Sequence, residues 1–296
     1  MPDRFEQLKN LPKRHDFFVG IDSDGCAFDT MEIKHKECFI PNTINSWGLQ
    51  PVSKMARESA EFVNLYSRWR GINRFPALIM AIELTAERPE VKQRGFKAPQ
   101  LGPLREWIKR ETALGNPALE AEVKRTGDPV LRRALEWSKA VNADVAKIVR
   151  DVPPFPYVRE CLQRLHDVAE IMCVSATPGE ALKREWEEHD IARYTAMIAG
   201  QELGTKTEHI QYAAAGKYEP DKILMVGDAP GDMEAAKASK ALFFPVNPGD
   251  ESNSWKRFHE EGIDRFLKGA FRGSYEDKLI AEFLAHLPDT PPWKKR

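Results

Sequence analysis

Two short, continuous apolar runs, Phe17–Ile21 and 223–226, stand out because each is closed by an acidic cluster: Asp22-Ser-Asp24-Gly25 after the first, Gly227-Asp228-Ala-Pro-Gly-Asp232 after the second. Runs of four or five apolar residues without alternation read as strands buried on both faces, the pattern of a parallel sheet. Between about Met31 and Asp151 the periodicity becomes helical. Val52, Met55, Ala56, Ala60, Val63 and Leu65 share one face of a helix over 52–69, and Leu131, Leu135, Val141, Val145 and Ile148 share a face over 129–149. Gly71, Pro89, Pro99, Pro103 and Gly115 to Pro117 divide this stretch into several helices.

The prolines of Asp151-Val-Pro-Pro-Phe-Pro156 form a stiff return linker. Strands and helices alternate beyond it: helix 157–165, strand 170–174, helix 178–189, a short strand at 197–199, helix 206–215, strand 223–226, helix 233–238 and strand 241–245. Strand-helix units of this length imply right-handed crossovers and a parallel sheet. Trp255, Phe258, Ile263, Phe266 and Leu267 then mark amphipathic helices, followed by a polar tail. The expected architecture is an α/β, Rossmann-like parallel core formed by 1–30 and 152–296, with 251–296 as a helical C-terminal extension, interrupted by an all-helical insert at 31–151.

Composition narrows the function classes. With 44 Lys and Arg against 45 Asp and Glu among 296 residues, there is no global field to attract nucleic acid or an anionic membrane. The N-terminus carries no signal-like apolar core and no segment has the length of a membrane span, so a cytoplasmic protein is expected. Cys26, Cys38, Cys161 and Cys173 lack metal-site spacing and read as reduced, partly buried thiols.

If the two runs lie centrally and parallel in one sheet, Asp22, Asp24, Asp228 and Asp232 meet at its carboxyl edge, where open α/β sheets bind ligands. Four carboxylates there require a cation, and an oxygen-rich set suits magnesium. An aspartate is ionised at neutral pH, so Asp22 can act as a nucleophile without a base, and Asp24 is placed to give and retrieve a proton while Gly25 lets the chain turn. Thr177, Pro178 and Glu180 fit a capping box, which sets Ser175 just before a helix N-terminus suited to phosphate. Lys206, opening a later helix, can neutralise phosphate and aspartates. Asp228 is the better direct metal ligand, and Asp232 is either an outer acceptor or the N-cap of the next helix.

Strand then D-x-D-G, strand then Ser-x-Thr-Pro, a helix-start lysine, and strand then G-D-x-x-x-D resembles the four-motif pattern of the haloacid dehalogenase-like superfamily. The resemblance covers 16–30 and 155–248. It implies a magnesium-dependent phosphatase of the branch with a helical cap, acting on a small phosphorylated metabolite. Asp22 would form an aspartyl-phosphate and Asp24 would act as acid and base. Ser175, Ala176 and Lys206 would hold the phosphoryl oxygens, and the ion would sit on Asp22, the Asp24 carbonyl and Asp228, with Asp232 in the outer shell. A phosphomutase resembling β-phosphoglucomutase, or a non-catalytic binding protein of the same fold, is the alternative. In the insert, Arg68, Arg70 and Arg74 are candidates to read a leaving group, and Lys34, His35 and Lys36 follow the acidic loop closely enough to be candidates too.

Overall fold

The computed structural model describes residues 4–294 and divides into two compact units, Met1–Thr30 with Asp151–Leu287, and Met31–Arg150 with the segment from Pro288 onward. The first unit is built on five parallel strands, β1 (Phe17–Ile21), β2 (Ala169–Val174), β3 (Met197–Ala199), β4 (Ile223–Gly227) and β5 (Leu242–Pro245), in the order β3-β2-β1-β4-β5. This is the α/β class expected from the sequence. Every residue of β2, β4 and β5 is buried because helices cover both faces of the sheet. Alternate residues feed separate cores: Val19, Ile21, Ile171, Cys173, Leu224 and Val226 enter one, and Phe18, Met172, Val174, Met225 and Phe243 the other. Gly20 also belongs to the second face, where an added Cβ would meet Val174 Cγ2 at 3.1 Å and Met225 Sδ at 3.2 Å.

Register places the chemistry. Ile21 pairs with Cys173 on one side and with Val226 on the other, so β1, β2 and β4 end together and their following loops leave one edge of the sheet. The helix after β4 starts at Pro230, three residues before the position read from the sequence, because proline with its fixed φ suits a first helical position.

The second unit is helical, with its longest helices at Ser53–Asn64, Arg74–Glu87 and Pro129–Ile148 around a core that includes Phe75, Trp107 and Trp137. The helix expected over 52–69 stops at Asn64, where local groups take over its last carbonyls: Asn64 Nδ2 donates to Ala60 O, Ser67 Oγ to Val63 O and Arg70 Nη1 to Leu65 O. The C-terminal extension also divides differently from the expectation. The core keeps the chain through Leu287, whereas the segment from Pro288 joins the helical unit. Its Trp293 packs edge-on to Phe62, with centroids 5.7 Å apart, and lies 4.6 Å beneath the Arg88 guanidinium. Asp289 pairs with Arg68 and Lys294 with Glu87. An apolar ring inside a short polar tail has somewhere to be buried, and that decides where the tail goes. No helix among the described residues is long and apolar enough to cross a membrane, and no disulfide joins the four buried cysteines.

His209, on the helix Lys206–Ala213, is fully buried, and burial lowers its pKa from the ordinary 6.5 to about 4. Between those values the unfolded chain binds a proton that the folded chain rejects, so stability falls as pH drops from 6.5 toward 4. Wild type should lose about 2 kcal/mol more than His209→Leu between pH 7 and pH 5, measured as the shift in urea unfolding midpoints. Equal losses in the two proteins would contradict a buried neutral imidazole.

Candidate active site

Asp22 leaves β1 almost fully buried, with its amide on Val226 O at 3.0 Å. Its two carboxylate oxygens have different partners. Oδ1 accepts the Ser23 amide at 2.7 Å, and Oδ2 accepts Lys206 Nζ at 2.7 Å. The following loop curls tightly, since Ser23 O accepts the amides of Cys26, Ala27 and Phe28 and Gly25 turns at φ 78°. That φ is readily available to glycine and costly for residues with a Cβ. Asp24 then lies against two hydroxyls: Thr177 Oγ1 donates to its Oδ2 at 2.6 Å, and Thr30 Oγ1 donates to its Oδ1. Neither threonine was legible as a partner of Asp24 in the sequence.

The Thr177 contact corrects the capping box expected at 177–180. The helix runs Gly179–Glu188 with Pro178 as N-cap and no side-chain cap. Glu202 Oε2 takes the Gly179 amide at 3.0 Å, so the Thr177 hydroxyl is not needed at the helix end and turns to Asp24. Ser175 is buried at the end of β2, its amide on Ala199 O and its Oγ accepting the Thr177 amide at 3.3 Å. Ala176 beside it is exposed. Lys206 opens its helix directly after Thr205, whose side chain accepts the Glu208 amide in a true capping box, and the ammonium is thereby aimed back at the sheet edge.

Asp22, Asp228 and Asp232 form a buried acidic cluster, each offering a carboxylate oxygen within 4.8 Å of the others. Of the two places expected for Asp232, an outer shell or the N-cap of the next helix, the N-cap is taken by Ala229. Asp232 is the third residue of the helix Pro230–Ala238, its Oδ2 reaching back to the Ala229 amide at 3.0 Å, while its Oδ1 accepts Lys206 Nζ at 2.5 Å within the cluster. Gly227 permits this approach, since a Cβ there would fall 2.4 Å from Asp232 Cβ. The Asp24 carboxylate, engaged by the hydroxyls, stays outside the group.

Electrostatics qualifies the expectation that Asp22 ionises unaided. Burial raises its pKa most, Lys206 opposes, and Asp232 and Asp228 push it further up. Lys206 is the reverse case: burial works against its charge, and Asp22 and Asp232 outweigh burial and raise it. One ammonium therefore faces three buried carboxylates. An all-oxygen donor set with that residual negative charge fits a hard divalent cation and would be ill-suited to a soft one.

The three arginines expected as substrate contacts have partners within the helical unit. Arg70 is buried on Leu65 O, and Arg68 pairs with Asp289. Arg74 Nη1 donates to Ser138 and Asn142, its guanidinium lies over Phe39, and burial lowers its pKa to about 10. Lys36 pairs with Glu32 and Tyr66, and His35 stacks on Phe39.

The family described as haloacid dehalogenase-like hydrolase matches residues 112–246, a stretch that holds Ser175, Lys206, Asp228 and Asp232 but stops short of Asp22 and Asp24. No curated protein matches the sequence. Among solved structures, the chain is similar to a haloacid dehalogenase-like family hydrolase from Streptococcus pneumoniae, with 11% identity, 85% of this chain and 97% of that one covered, and a TM-score of 0.45. It is also similar to a predicted phosphatase from Clostridium acetobutylicum, at 14% identity, 84% and 99% coverage and a TM-score of 0.46. A predicted phosphoglycolate phosphatase from Haemophilus somnus stands at 14% identity, 81% and 90% coverage and a TM-score of 0.44. Over residues 112–246 the chain is thus similar to the haloacid dehalogenase-like hydrolases.

Proposed function

We propose that the protein is a magnesium-dependent phosphatase that hydrolyses a small phosphorylated metabolite through an aspartyl-phosphate on Asp22. The observation that carries this reading is the fixing of Asp22 between the Lys206 ammonium and the Ser23 amide, inside a carboxylate cluster that needs further positive charge. A carboxylate held by both oxygens has little orientational freedom left to lose on reaction.

In the first half-reaction an Asp22 oxygen bonds to phosphorus as the ester oxygen leaves, and Asp24 supplies the proton that oxygen needs. In the second, Asp24 takes a proton from water as it attacks phosphorus, releasing phosphate and restoring Asp22. Asp24 has to exchange one of its hydroxyl partners, Thr30 or Thr177, to reach the leaving oxygen. Ser175, the Ala176 amide and Lys206 hold the phosphoryl oxygens. Magnesium, on Asp22, the Asp24 carbonyl and Asp228 with Asp232 beside it, would supply the charge that lets a phosphate dianion approach an anionic nucleophile. Residues 31–151 are proposed as the cap that determines which substrate is accepted.

The Asp22→Asn variant should release no phosphate from p-nitrophenyl phosphate with magnesium present, and Asp24→Asn should retain the fold while losing about 10²- to 10⁴-fold in turnover. Undiminished turnover by Asp22→Asn rules out the nucleophile assignment. Lys206→Met should lose about 10²-fold in kcat/KM and, in EDTA, about 3 kcal/mol of stability. Magnesium should then raise its melting temperature more than that of wild type, as followed by calorimetry, because the unscreened carboxylates have gained need of a cation. A magnesium shift no larger than that of wild type contradicts the shared-charge account.

A further inference from the structure

Ser23, the residue between the two aspartates, is fully buried, and both hydrogen-bonding capacities of its hydroxyl are engaged by neighbours on the helix Gly179–Glu188. Trp186 Nε1 donates to Ser23 Oγ at 3.0 Å, and Ser23 Oγ donates to Glu185 Oε2 at 3.1 Å. With an incoming donor and an outgoing proton both specified, the hydroxyl rotor has a single orientation. The same residue carries the amide that holds Asp22 Oδ1 at 2.7 Å and the carbonyl that collects three loop amides. Turning the Asp22–Ser23 peptide would break the bond from the Ser23 amide to Asp22 Oδ1. Trp186 is itself held, fully buried and edge-on to Phe28 with centroids 6.0 Å apart.

We propose that Trp186 and Glu185 are positioning residues for Asp22, acting through the Ser23 hydroxyl to fix the peptide whose amide orients the nucleophile. This deepens the phosphatase reading and rests on Asp22 being the nucleophile. The helix that carries them follows the loop whose Thr177 holds Asp24, so one element sets the orientation of both carboxylates. A buried serine here is needed because it accepts from an indole and donates to a carboxylate at once; alanine or glycine can do neither. Misplacement of a reacting group by an ångström can cost about 10²-fold, so partial loosening of the loop should cost about 10-fold.

The test measures kcat and KM for p-nitrophenyl phosphate with saturating magnesium on the full chain, normalised to the folded fraction by circular dichroism, with Asp22→Asn run alongside. Trp186→Phe keeps the ring against Phe28 and removes only the donor. It and Ser23→Ala should each lower kcat about 10-fold with KM unchanged, and the double variant should be no worse than the worse single, since both break one link. Glu185→Gln, which keeps an acceptor for Ser23, should lose less than Glu185→Ala. Full kcat per folded molecule in Trp186→Phe and Ser23→Ala, or additive losses in the double variant, overturns the positioning role while an inactive Asp22→Asn leaves the nucleophile in place. A wild-type chain that releases no phosphate overturns both.

Discussion

Three carboxylates lie buried within 4.8 Å of one another, two of them paired with a single ammonium, and the arrangement of the core's loops follows from the need to hold that charge together. Solvation cannot carry the cost, because Asp22, Asp228 and Asp232 are all almost completely shielded from water. The sheet register supplies the first part of the solution by ending β1 and β4 level, which brings Asp22 and Asp228 alongside each other. Gly227 supplies the second by leaving room for Asp232 where any Cβ would collide. The helix-opening Lys206 supplies the third, spanning from Asp22 to Asp232.

The loop after β1 is constrained from several directions at once. Its amides converge on Ser23 O, its hydroxyl is tied to the helix Gly179–Glu188, and its last acid is held by threonines from two segments of the chain. Such redundancy gives the loop a stiffness that no single hydrogen bond would provide, since net contributions of about 1 kcal/mol each become effective when they cannot be broken separately. The contrast between Asp22 and Asp24 is informative. The first is held by an amide and an ammonium, the second by hydroxyls that can rotate away, a difference in line with the roles proposed for them.

Much of the core was legible because parallel strands buried on both faces leave an unbroken apolar trace, and aspartates closing two such traces are conspicuous. The same reasoning located Ser175 and Lys206 at the ends of their elements. What escaped it shares a physical origin: side-chain destinations set by tertiary partners rather than by local spacing. Thr177 sits where a cap belongs, yet Glu202 occupies the helix end and frees the hydroxyl for Asp24. Asp232 lies in the first turn of its helix, and its approach to Asp22 and Asp228 depends on a glycine across from it that local spacing does not reveal. Ser23 and Trp186 carry no periodic or compositional mark at all, because their pairing joins positions 163 residues apart. The arginines of the second unit formed a basic-aromatic cluster in sequence, and the hydrogen bonds of Arg70 to Leu65 O and of Arg74 to Ser138 were not legible there.

The tail that packs Trp293 against Phe62 bears on biosynthesis. Residues 31–150 leave the ribosome well before the core's later strands, yet the aromatic contact that completes their cluster is translated after the helix Ser274–His286. The Phe62 face of the nested unit therefore gains its Trp293 contact only once the helix Ser274–His286 has been made. Its last packing step follows synthesis of the core's strands, reversing the usual N-to-C order in which domains mature.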